Sequence, residues 1–370
     1  MKRYRIVGLA ALVVAVAALT FVSLGSAKPA ATMDKVTLQL KWVPQAQFAG
    51  YYAAAAKGYY KQFGLDVTLK AGGPDITPEV VVASGQAQFG IDWLPALLAA
   101  RDKGGDIVNI AQVFTRSGMT ELTLKSSGIT NVAQMKGKKV GVWCCGNENE
   151  LYAALVKNGL DPKSSSSVKI VNQPFDMSLF LQNKVDAAAA MTYNELAQVL
   201  ESKNPKTGKL YTLADLNVIT MEKAGTAMLE DGVFAQGAWL KDTKNQDVAK
   251  RFLAASFKGW AYCRDHQQDC VNIVLKNGTL LGKGHQTWQM NEINKLIWPA
   301  PIRGVGVMNP VAFVRTAAIS KQFKVITKLP SGAYRTDLAK AANTTLRKQG
   351  VNTTGRSWKA IVVTVTPGGK

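Results

Sequence analysis

The sequence predicts an α/β protein of two domains, each built on a mixed, mostly parallel β-sheet flanked by helices. Strand-like runs take turns with runs of helical spacing between residues 35 and 195, and such alternation is typical of parallel sheets covered by helices. The chain has 370 residues, more than one ordinary hydrophobic core organises. Two domains of comparable size are therefore expected.

The first elements follow in order along the chain. Residues 35–42 (KVTLQLKW) alternate like a strand, residues 47–64 carry the Ala-rich spacing of a helix, and residues 65–73 (LDVTLKAGG) alternate again. The next segment, TPEVVVASGQ, predicts a short helix with Thr77 as its N-cap and Pro78 at its first position. These segments form a β-α-β start.

Strand and helix keep alternating in the segments that follow, at residues 87–93, 94–104, 107–114, 138–145, 150–159, 167–174, 177–184 and 185–195. The second half of the chain is mostly helical, from residue 246 to residue 277 and again between residues 291 and 348. Trp288 and Trp298, in the last of these regions, are expected to be core residues.

Residues 1–27 have the three-part pattern of a secretory signal peptide. Three basic residues among the first five precede an uninterrupted apolar run at residues 6–22, and small residues follow up to Ala27. We expect cleavage after Ala27 and a mature chain that starts near Lys28. The alternative is an uncleaved membrane anchor, although the apolar run is at the short end of what a bilayer span needs.

The composition is strongly basic, with 45 Lys and Arg against 25 Asp and Glu and a net charge of +20. Removal of the signal peptide, with its three basic residues, takes this charge from +20 to +17. The remaining basic residues are scattered, without a long run or a nucleic-acid-binding motif, so no nucleic-acid partner is expected. A solvated basic surface near anionic membrane headgroups fits this pattern.

The turns after the predicted strands combine aromatic residues with acidic or amide residues. They lie at residues 41–48, 72–78, 90–95, 143–150 and 191–195, and all but the second place Trp or Tyr beside Asp, Asn, Glu or Gln. Ligands of doubly wound sheets bind at such turns. Aromatic faces suit flat rings, and carboxylates and amides suit ring nitrogens and exocyclic amines. A single aromatic residue at a strand end is as often a core residue, but four such turns favour a ligand site.

The candidates for ligand contact are Trp42, Gln47, Tyr51, Asp92, Trp93, Asn147, Glu148, Tyr193, Glu195 and Glu230. Two tryptophans and Tyr193 would stack on the ring of the ligand. The carboxylates and Asn147 would form hydrogen bonds with the polar groups at the edge of that ring. Gln47 and Tyr51 are additional contacts from the first domain. An anion receptor would show Arg, Lys, Ser or Thr at these turns, so the carboxylates speak against an anionic ligand.

Several segments resemble the substrate-binding proteins of ABC importers in the thiamine-pyrimidine-precursor-binding (NMT/THI-like) group, relatives of the alkanesulfonate-binding proteins. These segments are LKWVPQAQFAGYYAAAAKGYYKQFGLDVTL, GGPDITPEVVVASGQAQFGIDWLPALLAARDKG, MKGKKVGVW, GNE and AMTYNE. The resemblance extends over residues 35–350 and implies a type II periplasmic binding protein, a two-lobed Venus-flytrap receptor with lobes joined by hinge strands.

The resemblance also implies how the chain divides. The expected parts are a first lobe at residues 34–125 and 227–350, with a helical C-terminal segment, an inserted second lobe at residues 126–226, and a C-terminal tail at residues 351–370. The crossings between the lobes would lie near residues 121–125 and 227–234. The second crossing would bring Glu230 and Asp231 to the edge of the cleft, although surface carboxylates are the commoner case.

The resemblance implies a small-molecule ligand and, as partner, an ABC transporter permease at the inner membrane. We expect a periplasmic monomer without cofactor or metal. Other possibilities stay open: a sulfonate, nitrile-derived or flavin-like ligand, or a sensor role in place of transport.

An enzyme on the same fold is the weaker alternative. The family includes eukaryotic pyrimidine synthases, which use a catalytic His and a cysteine-rich motif. The sequence has two histidines, His266 and His285, and both lie late in the chain, away from the predicted site. No nucleophile is paired with a base in the predicted turns.

The two cysteine pairs have different interpretations. Cys144 and Cys145 are adjacent, so they form no CxxC motif, and they have no His nearby to complete a zinc site. We interpret them as compact residues in a ligand-reading turn, with a strained vicinal disulfide as the alternative.

Cys263 and Cys270 predict a disulfide, because an exported protein meets an oxidising compartment. In a continuous helix their Cα atoms would be about 10 Å apart, beyond disulfide reach. The bond therefore requires the helix to break between them. With His266, the pair could instead ligate a metal.

Overall fold

Ten strands alternate with helices in the part of the protein that the structure describes. We use a computed structural model, which describes Met1 and residues 32–143, 146–278, 280 and 282–370. The strands are Asp34–Gln39 (β1), Leu65–Lys70 (β2), Phe89–Trp93 (β3), Ile107–Gln112 (β4), Met119–Leu124 (β5), Lys139–Val142 (β6), Lys169–Asn172 (β7), Ala187–Met191 (β8), Leu216–Thr220 (β9) and Asp231–Gln236 (β10).

The helices of the same residues are short in the first half of the chain and longer in the second. They are Ala49–Ala56 (α1), Tyr59–Gln62 (α2), Pro78–Ala83 (α3), Leu94–Asp102 (α4), Asn149–Lys157 (α5), Ser178–Leu181 (α6), Glu195–Leu200 (α7), Met221–Ala224 (α8), Thr243–Asp265 (α9), Gln267–Lys276 (α10), Lys283–Ile297 (α11), Pro310–Gln322 (α12) and Asp337–Lys348 (α13).

The strands form two five-stranded sheets of the same design. The first sheet has the order β2-β1-β3-β10-β4, and the second has the order β7-β6-β8-β5-β9. In each sheet one strand, β10 or β5, runs antiparallel to its two neighbours, and the remaining pairings are parallel. The predicted fold class, two mixed and mostly parallel sheets flanked by helices, is confirmed.

The chain passes between the sheets at residues 113–118 and returns at residues 225–230. Each crossing leads into the antiparallel strand of the sheet that it enters. The first crossing was predicted near residues 121–125, which lie in or just after β5, a strand that pairs with β8 and β9. That position is wrong because β5 already belongs to the second sheet. The predicted return at residues 227–234 overlaps the observed one.

Two predicted helices differ in detail from the observed elements. The helix predicted over residues 47–64 is divided at Gly58, which has a φ of +68°, into α1 and α2. Pro78 opens α3 as predicted, but the Thr77 side chain makes no capping hydrogen bond. The helical region predicted between residues 291 and 348 consists of the end of α11, then α12 and α13, separated by loops.

The main hydrophobic core of the first sheet lies under α1 and α9. Trp260 is fully buried, and its ring lies edge-on to Tyr51 with 5.6 Å between centroids. Two glycines allow this close crossing, because a Cβ atom on Gly50 would overlap the Trp260 indole and one on Gly259 would overlap the Gly50 carbonyl oxygen. Of the two tryptophans predicted as core, Trp298 is buried, and Trp288 is half-buried.

The helix carrying Cys263 does break before Cys270. α9 ends at Asp265, His266 has a non-helical φ of −133° and ψ of 56°, and α10 begins at Gln267. The break brings the Cα atoms of Cys263 and Cys270 to 5.4 Å, and the structure joins their sulfur atoms.

Residues 33–370 form one compact unit. Among the described residues, the helices are too short or too polar to cross a bilayer. Apart from Met1, the predicted signal peptide lies outside the described residues, and so do Cys144 and Cys145 with the interpretations given to them.

Candidate ligand-binding site

The carboxyl ends of the parallel strands in the two sheets face each other across the crossings. In the first sheet β1, β3 and β4 end at this edge and β10 begins there, and in the second sheet β6, β7 and β8 end where β5 begins. Side chains of both sheets meet at this place. The Phe114 and Tyr193 rings, one from each side, have centroids 6.4 Å apart.

Lys41, Asp92 and Trp93 form the centre of a group on the first sheet. The Lys41 ammonium donates to Asp92 Oδ1 and lies 5.2 Å from the centroid of the Trp93 ring. The Trp93 backbone N–H donates to the same carboxylate oxygen at 2.6 Å. Burial is the largest single influence and lowers the pKa of Lys41, but the charge and hydrogen bond of Asp92, together with the charges of Glu79 and Asp231, raise this pKa overall.

Asp231 and Glu79 complete this group, which we call the cleft cluster (Lys41, Glu79, Asp92, Trp93 and Asp231). Asp231 lies opposite Trp93 in the β3–β10 pairing, and its Oδ2 accepts from Gln47 Nε2 at 2.9 Å. Burial raises the pKa of Asp231 to about 7, although Gln47 and Lys41 lower it. Burial, with the neighbouring charge of Asp92, raises the pKa of Glu79 to about 8.

A second group, the crossing cluster (Ser117, Glu150 and Glu230), joins both crossings to the second sheet. Ser117 Oγ lies 2.8 Å from Glu150 Oε2 and 3.1 Å from Glu230 Oε1. The Gly118 backbone N–H donates to Glu230 at 2.6 Å, and the Met228 N–H donates to Glu150 at 2.7 Å. Glu150 is on α5, so three chain segments meet here.

The hydrogen bonds at Ser117 require a proton on one of the two carboxyl groups. The Ser117 hydroxyl has a single hydrogen, which it can give to one of the two carboxyl oxygens, and its oxygen accepts from the Met119 backbone N–H at 3.0 Å. The other carboxyl must therefore donate. Burial raises the pKa of Glu150 to about 8, and burial, followed by the charges of Glu150 and Asp231, raises the pKa of Glu230 well above its usual value.

Most of the predicted aromatic contacts lie at or near these clusters. Tyr193 is buried, and burial, followed by the charges of Glu230 and Asp231, raises its pKa well above the usual value. Tyr51 is buried against Trp260. Trp42 is half-buried and packs on Phe175, in the loop that follows β7 of the second sheet, with 4.8 Å between ring centroids.

Three of the predicted ligand contacts belong to neither cluster. Glu148 accepts from the Gly146 backbone N–H of its own turn at 2.8 Å, and Asn147 beside it is half-buried. Glu195 is buried, but its two oxygens accept from the Met191 N–H at 2.9 Å and the Asn194 amide at 2.6 Å. Glu195 thus stabilises the turn between β8 and α7. Its role in ligand contact stays a prediction.

Four residues of the two clusters were not among the candidates from the sequence: Lys41, Glu79, Ser117 and Glu150. Lys41 precedes the candidate Trp42, and Asp231 was already expected at the cleft edge beside Glu230. Glu150 could have been considered as readily as Glu148 in the sequence GNENE. The direction of each side chain depends on where α5 begins, which the sequence pattern leaves open within a few residues.

The described residues contain no group of three or more His, Cys, Asp or Glu side chains arranged to hold a metal ion. His285 Nδ1 lies 2.9 Å from Glu201 Oε1, and its Nε2 lies 2.9 Å from Asn194 Oδ1. His266 packs on the Tyr262 ring with 4.4 Å between centroids. These contacts place both histidines outside the cleft and crossing clusters.

Two mixed sheets joined by two crossings, with polar and aromatic groups between them, define the fold of the periplasmic binding proteins. Solved structures agree with this class. The aliphatic sulphonate-binding protein SsuA of Escherichia coli has a TM-score of 0.61 at 15% identity, over 83% of this chain and 91% of SsuA. A ligand-binding component of an ABC-type import system from Staphylococcus aureus has a TM-score of 0.59 at 12% identity, over 84% of this chain and 99% of that one.

The chain belongs to the NMT1/THI5-like family, whose profile matches residues 45–270. The predicted family is therefore confirmed. One relative is the 4-amino-5-hydroxymethyl-2-methylpyrimidine phosphate synthase THI11 of Saccharomyces cerevisiae. It is 34% identical over 235 residues, which are 62% of this chain and 67% of the yeast protein.

Proposed function

We propose that the protein is an extracytoplasmic receptor of an ABC importer, which binds a nitrogen-containing heteroaromatic molecule between its two sheets and delivers it to a permease. The observation that carries the proposal is the cleft cluster, where buried carboxyl groups lie beside Trp93 at the facing strand ends. A pyrimidine related to a thiamine precursor is the ligand that fits best, since a relative's name contains such a pyrimidine. In this proposal the protein is a periplasmic monomer.

The lobes and their movement are part of the same proposal. The first lobe would comprise the first sheet and the helical segment up to residue 350, and the second lobe would comprise the inserted sheet. Residues 113–118 and 225–230 would act as hinges. Closure would bring Glu150 and Phe175 of the second lobe onto the first-lobe residues Glu230 and Trp42, and ligand binding would favour the closed state.

Replacement of Trp93 by Ala should weaken ligand binding roughly tenfold to a hundredfold, because the ring that stacks on the ligand is lost. Trp93→Phe should retain most of the affinity, since a smaller ring remains. The ligand is first identified by native mass spectrometry of protein purified without refolding, and its affinity for each variant is then measured by calorimetric titration.

Trp358→Ala serves as the control, because Trp358 is half-buried near the C-terminus and lies outside both clusters. The Trp358→Ala variant should bind the ligand with the same affinity as the unchanged protein. Equal affinities for Trp93→Ala and Trp358→Ala would contradict the proposed site.

A pyrimidine synthase is the second candidate, and the 34% identity to a yeast synthase favours it. The contacts of His266 and His285 support the receptor instead, because neither lies in the cleft or crossing cluster. Incubation of the protein with candidate precursors separates the two functions. Formation of a phosphorylated pyrimidine over many turnovers would establish an enzyme, whereas a receptor releases its ligand unchanged.

Export and the disulfide form a further prediction. The exported protein should start near Lys28 and carry a bond between Cys263 and Cys270, whose Cα atoms lie within disulfide distance at 5.4 Å. Intact mass after alkylation without reductant measures both properties. Cys263→Ser and Cys270→Ser should each expose one additional thiol. Alkylation of all four cysteines in the native exported protein would contradict the prediction.

A further inference from the structure

The region between the sheets is acidic in a protein that is otherwise basic. Five carboxyl groups of the cleft and crossing clusters are buried: Glu79, Asp92, Glu150, Glu230 and Asp231. Within the described part of the chain, only Asp92 among these five forms an ion pair, and its partner is Lys41. The site therefore holds more potential negative charge than the protein neutralises with its own cations.

Three of these carboxyl groups also have an oxygen without a hydrogen-bond donor. Among the described residues, Glu79 Oε1, Asp231 Oδ1 and Glu230 Oε2 are buried and unpaired. Glu79 and Asp231 are 3% and 2% exposed, so water reaches them poorly. A buried acceptor left unpaired costs about 1 to 3 kcal/mol, and such groups are rare in folded proteins. These oxygens are therefore placed to accept from donors of a ligand.

Lys41 marks the position that a cation takes in this site. Its ammonium group bonds to Asp92 and lies over the Trp93 ring at 5.2 Å, within the range of a cation–π interaction. The Lys41 side chain is 22% exposed, whereas that of Asp92 is 6% exposed. Lys41 is therefore the member of this pair that can swing into solvent when another cation arrives.

We propose that the ligand binds as a cation: a heteroaromatic ring with a positive charge and N–H groups, which takes the place of the Lys41 ammonium over Trp93 and beside Asp92 and Asp231. This inference rests on the proposed function, since it specifies the charge of the molecule held at the same site. Protonated aminopyrimidines and rings with a quaternary nitrogen belong to this class.

A permanent cation in this position has a consequence for protons. The positive charge favours the ionised carboxylates of Glu79 (α3), Asp92 (β3) and Asp231 (β10), so binding near pH 7 releases protons. The other titratable groups that face the site are Lys41 after β1, Tyr51 on α1, Tyr193 after β8, Glu230 before β10 and Glu150 on α5. The tyrosines stay protonated across this range because burial raises the pKa of each well above its usual value.

The test compares cationic probes with neutral probes of related structure. 1-Methylnicotinamide differs from nicotinamide by one methyl group and the charge that it fixes on the ring nitrogen, and thiamine differs from 4-amino-5-hydroxymethyl-2-methylpyrimidine by a cationic thiazolium ring in place of the hydroxyl group. Affinities are measured by calorimetric titration at pH 6 and pH 8, in buffers with different ionisation enthalpies. We expect the cationic member of a pair to bind at least tenfold more tightly, to gain affinity from pH 6 to pH 8, and to release protons.

Two variants locate the effect. Lys41→Met removes the competing ammonium and should strengthen binding of the cationic probe severalfold, whereas Asp92→Asn should weaken it at least tenfold. Lys61→Met removes an exposed lysine outside both clusters and is the control for net charge. It should leave the affinities for the cationic and the neutral probe unchanged.

The outcomes separate this inference from the proposed function. Equal or tighter binding of the neutral probes would overturn the inference and leave a heteroaromatic receptor in place. Binding of an alkanesulfonate, with none of the heteroaromatic probes bound, would overturn both. Failure of every cationic probe to bind, or weaker binding of the cationic probe by Lys41→Met, would also count against the inference.

Discussion

The ligand-free protein should lose stability as the pH rises from 5 to 7. Burial raises the pKa of Asp231 to about 7 and those of Glu79 and Glu150 to about 8. In this pH range these groups are protonated in the folded protein and ionised in the unfolded chain, so the folded state binds more protons. The free energy of unfolding then falls with pH, by about 1.4 kcal/mol per pH unit for each such group.

Urea unfolding at pH 5, 6, 7 and 8 measures this loss. Carboxyl groups with lowered pKa values have the opposite effect, but they act below about pH 4. In the structure these groups are Asp102, Asp215, Asp269 and Asp337. Glu150→Gln should flatten the pH dependence, because glutamine keeps a polar amide in place of a group that must stay protonated. A free energy of unfolding that rises from pH 5 to pH 7 would contradict the expected protonation of the clusters.

Replacement of Gly259 by Ala should destabilise the protein by about 3 kcal/mol, at the upper end of the cost of overpacking a core. The new Cβ atom would overlap the Gly50 carbonyl oxygen and lie 2.9 Å from the Ala54 backbone nitrogen, so α9 would have to move away from α1. In an open helix, the same change would stabilise by about 1 kcal/mol. The expected sign is therefore opposite to that of helix propensity.

Thermal and urea unfolding of Gly259→Ala test this expectation, with Gly73→Ala as the control. Gly73 lies outside the helices, and a Cβ atom there would meet nothing within 4 Å. The control should unfold like the unchanged protein. Because α1 begins two residues after Gln47 and contains Tyr51, Gly259→Ala should also weaken ligand binding. An unfolding midpoint at or above that of the unchanged protein would show that the helices tolerate the separation.

The sequence by itself was sufficient for the class of fold, and it predicted a ligand site at the turns that follow the strands. Alternation of strand and helix is a local property, and it predicted parallel sheets flanked by helices. The structure shows two such sheets, each with one antiparallel strand. The sequence also indicated the residue types at the turns, since the candidates Asp92 and Trp93 are neighbours in a single short segment, GIDW. The helix break between Cys263 and Cys270 followed from the predicted disulfide, because an unbroken helix would hold the two residues too far apart to bond.

Other features depended on contacts between segments far apart in sequence. The polar residues of β5 gave little strand signal, and its place in the second sheet is decided by pairing with β8 and β9. Glu150, and not Glu148, contacts the crossings because of where α5 begins and because Ser117 and the Met228 backbone N–H lie close to its carboxyl group.

The burial and the protonation of the carboxyl groups in the site were properties that only the tertiary structure decided. Composition indicates a basic protein, yet carboxyl groups from α3, β3, α5 and β10 meet between the sheets with Lys41 as the paired cation. The charge and burial of a site depend on which chain segments come together there. The order of the strands and the position of the crossings decide which segments these are. Local patterns determine which elements form, whereas long-range packing determines which side chains face one another and how strongly burial changes their protonation.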